Sequence, residues 1–61
     1  MSPRKETVSI LERNGYTLKR AGANHDIYYN PDTGITIPVK RHDFDKDDMR
    51  YILKEAGLKS K

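Results

Sequence analysis

Apolar and polar residues recur along this chain at two different periods, and each change of period marks a new element. Val8 and Leu11, with Ile10 less central, form an apolar stripe at helical spacing. Ser2 before it suits an N-cap and Pro3 the first helical position, while Asn14-Gly15 after it tolerates the left-handed conformation. The spacing predicts a helix over about residues 3–14. From Tyr16 to Arg20 the period drops to two, the pattern of a half-buried strand. Ala21-Gly22-Ala23-Asn24 interrupts it with small, flexible residues, and His25-Asp26-Ile27-Tyr28-Tyr29 resumes a strand. Asn30-Pro31-Asp32-Thr33-Gly34 is a strong turn, because Asn suits the first position, Pro pre-sets the next φ and Gly accepts positive φ. Its spacing predicts a hairpin with a G1-type bulge. Ile35, Ile37 and Val39 then share one face of a third strand, in which Pro38 marks an edge or an end.

A second helix is predicted from Asp45, a good N-cap, with Asp47 and Asp48 complementing the helix dipole. Met49, Ile52, Leu53 and Ala56 follow at i, i+3, i+4 and i+7. Gly57 ends this helix, Leu58 can fold back on it, and Lys59-Ser60-Lys61 is expected to fray. The order is α-β-β-β-α. The economical α+β solution packs both helices on one face of a three-stranded antiparallel sheet and leaves the other face to water or a partner. That order and layering resemble the double-stranded-RNA-binding fold.

Sixty-one residues are expected to make one domain, residues 1–61. A chain of this size buries only about 60% of the surface its unfolded form exposes, so its core is marginal and a deep closed cavity is not expected. Chemistry belongs on an open surface or in a shallow groove. The absence of cysteine excludes disulfides and a thiolate nucleophile and fits a cytoplasmic location. No apolar run approaches signal or membrane length, so the chain reads as soluble, with no membrane partner.

Charge changes this picture through its placement. The net charge of +3 is modest, but residues 1–20 carry five basic and two acidic side chains, and Lys40-Arg41 adds a second basic pair. His25 opens a strand just after the small-residue break, with Lys19 and Arg20 on the strand that enters it. Such a loop lets a phosphate backbone approach and leaves N–H groups to meet it. A histidine beside cations suits proton transfer on a ribose 2′-hydroxyl or a leaving 5′-oxygen. The bland alternative is a strand-end histidine without a role.

Other candidates carry equally plain alternatives. His42 reads as a solvated loop residue. Tyr28 and Tyr29 point to opposite sides of their strand, so one joins the core and the other lies on the open face, where it can stack on a base. Tyr28 is assigned the open place. Lys40 and Arg41 are either a solvated pair or phosphate contacts. Met49, Tyr51 and Ile52 are expected in the core or at its edge. The histidines with Asp26, Asp43 and Asp45 match no metal-ligand spacing, so no metal or cofactor is assigned.

The segment from His25 to Gly34, then Thr36-Ile37-Pro38-Val39, then Arg50 to Leu58, resembles the HicA toxin family. Leu11-Glu12-Arg13-Asn14-Gly15-Tyr16 resembles that family's first helix and strand entry, so the likeness covers nearly the whole chain. The resemblance implies a small ribonuclease that cleaves messenger RNA, uses one catalytic histidine without a cofactor, and is held inactive by a HicB-like antitoxin. The family's histidine stands in a Gly-Ser-His motif just before the second strand, which places it at His25. The Gly and Ser positions fall on Ala23 and Asn24, and Gly22 sits one residue earlier. Lys19, Arg20, Gly22, Ala23, Asn24, Tyr28, Lys40 and Arg41 are then the expected RNA contacts. A non-catalytic RNA-binding module and a protein-interaction domain using the open sheet face are the competing readings.

Overall fold

Ser2 begins the first helix as its pattern predicts. Its hydroxyl accepts the Lys5 N–H at 3.2 Å, Pro3 fills the first turn, and helix α1 runs Pro3–Arg13. Asn14 caps its end, and Gly15 at φ 95° turns the chain toward the sheet. These are features of a computed structural model that describes residues 2–58. The tail expected at residues 59–61 lies outside the described residues.

Strands β1 (Thr17–Ala21), β2 (His25–Tyr29) and β3 (Thr36–Lys40) form an antiparallel sheet in the order β1-β2-β3, and α2 runs Lys46–Glu55. The α-β-β-β-α order expected from the pattern is the one the chain adopts. Both helices pack on one sheet face, because Leu11, Tyr16, Tyr28, Ile37, Val39, Ile52 and Ala56 form a single apolar cluster. Thr7 is fully buried with them. Its hydroxyl donates to the Pro3 carbonyl at 2.7 Å, so the Thr7 side chain is buried with its polar group paired.

Helix α2 is fixed at both ends. Asp45 and Asp48 form a reciprocal capping box, a fuller role for Asp48 than the dipole interaction alone. At the other end Gly57 takes φ 73° and the Leu58 N–H donates back to Leu53 O at 2.7 Å. No helix among the described residues is long and apolar enough to cross a membrane.

Two irregularities differ from the simple pattern. The β2–β3 hairpin has no G1-type bulge. Asn30 N–H donates to Ile35 O, and the register continues unbroken from Tyr29↔Thr36 to His25↔Lys40. Four residues, Pro31 to Gly34, make the loop, and Gly34 at φ 78° closes it. The register shift falls instead in β1, between Leu18 and Arg20.

Candidate active site

That shift in β1 decides which charges reach the open sheet face. Strict alternation would put Arg20 on the side of Leu18, which pairs with the buried Tyr28. The β-bulge at Lys19 adds one residue, so Arg20 pairs with Ile27 on the opposite face. Lys19 reaches that face too. Its Nζ lies 4.8 Å from the centroid of the Tyr29 ring, a cation–π contact. One bulge therefore directs two adjacent cations to the surface not covered by helices.

Tyr28 is not on that surface. It is 6% exposed and belongs to the apolar cluster, because it pairs with Ile37 on the helix-covered side. Burial raises its hydroxyl above the ordinary value of 10.0, the Glu12 and Asp26 carboxylates adding to the effect and Arg4 opposing it. The open-face tyrosine is Tyr29. The assignment of Tyr28 to base stacking is corrected by this register.

His25 is exposed at the first position of β2 and forms a wall common to two hollows. The larger, of about 480 Å³, is open to solvent and is lined by Arg20, Gly22, Ala23, Asn24, Ile27 and Pro38 as well as His25. Of the expected RNA contacts, Arg20, Gly22, Ala23 and Asn24 therefore gather around His25. Lys19 lines the adjoining depression with Arg20 and Ile27. The smaller hollow, of about 200 Å³, lies toward α2 and contains Lys40.

The loop before His25 is held by hydrogen bonds on both sides. Gly22 N–H donates to His25 O at 2.8 Å across the turn. The Arg41 guanidinium donates to Gly22 O at 2.8 Å, and the Arg41 N–H donates to Asn24 O at 3.0 Å. Arg41 thus grips this loop through both its side chain and its backbone. Lys40 is also engaged, with its Nζ 3.2 Å from Asp48 Oδ2. Among the described non-glycine residues the only positive φ is at Asp43, so Ala23 and Asn24 occupy ordinary backbone regions. Alanine in place of the motif's glycine imposes no left-handed strain on this loop.

Beneath His25 lies a cluster that the sequence did not reveal. Asp26 is 8% exposed, with Oδ2 2.6 Å from the Arg4 guanidinium and Oδ1 3.5 Å from Arg41 Nε. Arg4 Nε also donates to the Lys40 carbonyl at 2.7 Å. The start of α1 is thereby tied to the strand pair carrying His25. His42 is exposed in the β3–α2 connector. No group of three or more His, Cys, Asp or Glu side chains converges as a metal site among the described residues. Tyr51, expected at the core edge, is 66% exposed, whereas Ile52 beside it is buried.

Compared with known protein families, residues 4–58 match the family described as the HicA toxin of bacterial toxin-antitoxin. Neither the curated proteins nor the solved structures gave a match.

Proposed function

The chain belongs to the HicA toxin family, the toxins of bacterial toxin–antitoxin systems, and we propose that it is a ribonuclease that cleaves messenger RNA with His25 and is neutralised by a HicB-like antitoxin. The observation that carries this reading is the open groove that His25 shares with Arg20, on the sheet face to which Lys19 is also turned. A single strand of RNA laid along that face meets cations for its phosphates and a proton-transferring group at one point.

In the proposed reaction the ribose 2′-oxygen attacks the adjacent phosphorus. The O2′–P bond forms and the P–O5′ bond breaks, giving a 2′,3′-cyclic phosphate and a 5′-hydroxyl. His25 takes the 2′-hydroxyl proton or supplies one to the departing 5′-oxygen, and water carries the other transfer, so one proton passes in net from O2′ to O5′. Arg20 and Lys19 offset charge on the non-bridging oxygens as it develops. One positioned acid–base group contributes about 10²–10⁴-fold, so turnover is expected to be slow. No cofactor or metal enters this scheme.

The test is incubation of a long RNA with purified protein in the presence of a chelator, beside the His25→Ala variant. The wild type should yield fragments with cyclic-phosphate ends while the variant leaves the RNA intact. Intact RNA with the wild type, or equal cutting by both proteins, removes His25 from the chemistry.

A further inference from the structure

The smaller hollow beside His25 has a chemistry of its own. It lies where the open face of β3 meets α2, and Pro38, Lys40, Phe44, Asp48, Tyr51 and Ile52 line it with His25. Its volume of about 200 Å³ falls below the ~300–1,000 Å³ usual for pockets that hold drug-sized ligands, and suits one planar heterocycle. Tyr51 contributes a ring that core packing does not explain. It stays 66% exposed, while the next residue on the helix, Ile52, is 5% exposed. Phe44 and Pro38 supply further flat apolar surface.

The hollow also has one polar end. Asp48 Oδ2 accepts the Asp45 N–H at 3.1 Å and lies 3.2 Å from Lys40 Nζ. Both contacts fall on the same oxygen, so Oδ1 keeps acceptor capacity. The Asp45 backbone bond, aided by Lys40, holds this carboxyl below its ordinary value of 3.8 against the opposing effect of burial. At neutral pH Asp48 is a pure acceptor.

We propose that this hollow is a nucleobase subsite, which takes a base next to the phosphate at His25, stacks it on Tyr51 and hydrogen-bonds its N–H donors to Asp48. The proposal rests on the RNA-cleaving reading and adds a preference to it. Cytosine, adenine and guanine present an amino group to a carboxylate. Uracil presents a single N–H between two carbonyl oxygens, which the carboxylate repels. The shared wall at His25 makes the subsite continuous with the groove in which phosphate would lie.

The experiment measures binding of fluorescent 2′-O-methyl hexamers of C, A and U to the whole protein, since these cannot react. The wild type should bind the C and A hexamers about tenfold more tightly than U, a ratio within the reach of one bidentate or charge-assisted base contact. Tyr51→Ala should weaken binding of C about tenfold, and Tyr51→Phe should regain most of that loss. Asp48→Asn, with helix content checked by circular dichroism, should erase the preference for C over U. Tyr51→Ala binding every hexamer as the wild type does would overturn the subsite, even if His25-dependent cleavage is intact. Selective, Tyr51-dependent binding by a protein that cuts no RNA would retain the subsite and sink the nuclease reading. Loss of neutralisation by a co-expressed antitoxin in Tyr51→Ala, with RNA affinity unchanged, would make the hollow a protein surface and overturn the proposal.

Discussion

Gly22 approaches His25 so closely that a Cβ built on it would sit 2.7 Å from the His25 carbonyl oxygen. The obstacle is backbone, and the same oxygen already accepts the Gly22 N–H at 2.8 Å. A side chain at position 22 must therefore push the start of β2 away from β1. Gly22→Ala should cost about 1–3 kcal/mol in urea denaturation, the range of forced overpacking, and should lower RNA cleavage further by displacing His25. Ala23→Gly should change stability by less than about 1 kcal/mol, since Ala23 holds no positive φ. Equal tolerance at both positions would contradict this account of the loop.

Arg41 and Arg20 look interchangeable in sequence, yet their surroundings separate them. Arg41 spends its guanidinium on Gly22 O and the Asp26 carboxylate, whereas Arg20 lines the groove at His25. Salt titration of RNA binding distinguishes these roles, because each phosphate contact to single-stranded RNA contributes about 0.7 to the log–log slope. Lys19→Ala and Arg20→Ala should each flatten the slope by roughly that amount. Arg41→Ala should leave it unchanged while slowing cleavage about ten- to a hundredfold through a misplaced loop. A flatter slope in Arg41→Ala would return it to the phosphate contacts.

Periodicity and caps made most of this fold legible before the structure. Ser2, Asn14, Asp45 and Gly57 all act where the sequence places them, and the helix stripes bury Leu11 and Ile52. The face of β2 was not legible from its own residues, because Ile27, Tyr28 and Tyr29 give no alternation to choose by. The hairpin could have settled it. A four-residue loop pairs Tyr28 with Ile37, a core residue on the clearer third strand, whereas the G1-bulge reading obscured that register. The bulge at Lys19 left no mark in composition, yet it sets the polarity of the candidate site. The Arg4–Asp26 pair joins residues 22 apart, which no local pattern encodes.

That pair predicts a stability effect from the helix-covered side of the sheet. Asp26 has a side chain 12% exposed, and its Oδ2 meets Arg4 at 2.6 Å. Removing one partner of a buried pair leaves the other charge uncompensated and costs about 3–5 kcal/mol. Arg4 keeps 27% of its side-chain surface in solvent, which discounts the figure. Asp26→Ala should therefore lose roughly 2–3 kcal/mol of unfolding free energy. Arg4→Ala should lose a similar amount, and the double variant should lose much less than the sum. Additive losses would show that the two residues act independently.

Tyr28 predicts how the fold responds to alkali. Its hydroxyl sits above the ordinary 10.0 chiefly because burial disfavours the phenolate, with Glu12 and Asp26 adding to the effect and Arg4 opposing it. Below pH 10 the phenol is protonated in both the folded and the unfolded chain, and its contribution to stability is fully present. Between 10 and the raised folded value, the unfolded chain has lost this proton and the folded one retains it, so stability falls as pH rises. Tyr28→Phe removes this titration and leaves the other tyrosines in place. Urea midpoints measured from pH 8 to 11 should thus decline more steeply for the wild type than for Tyr28→Phe, the curves diverging only above about pH 10. Parallel declines would mean that the buried hydroxyl titrates alike in the folded and unfolded chains.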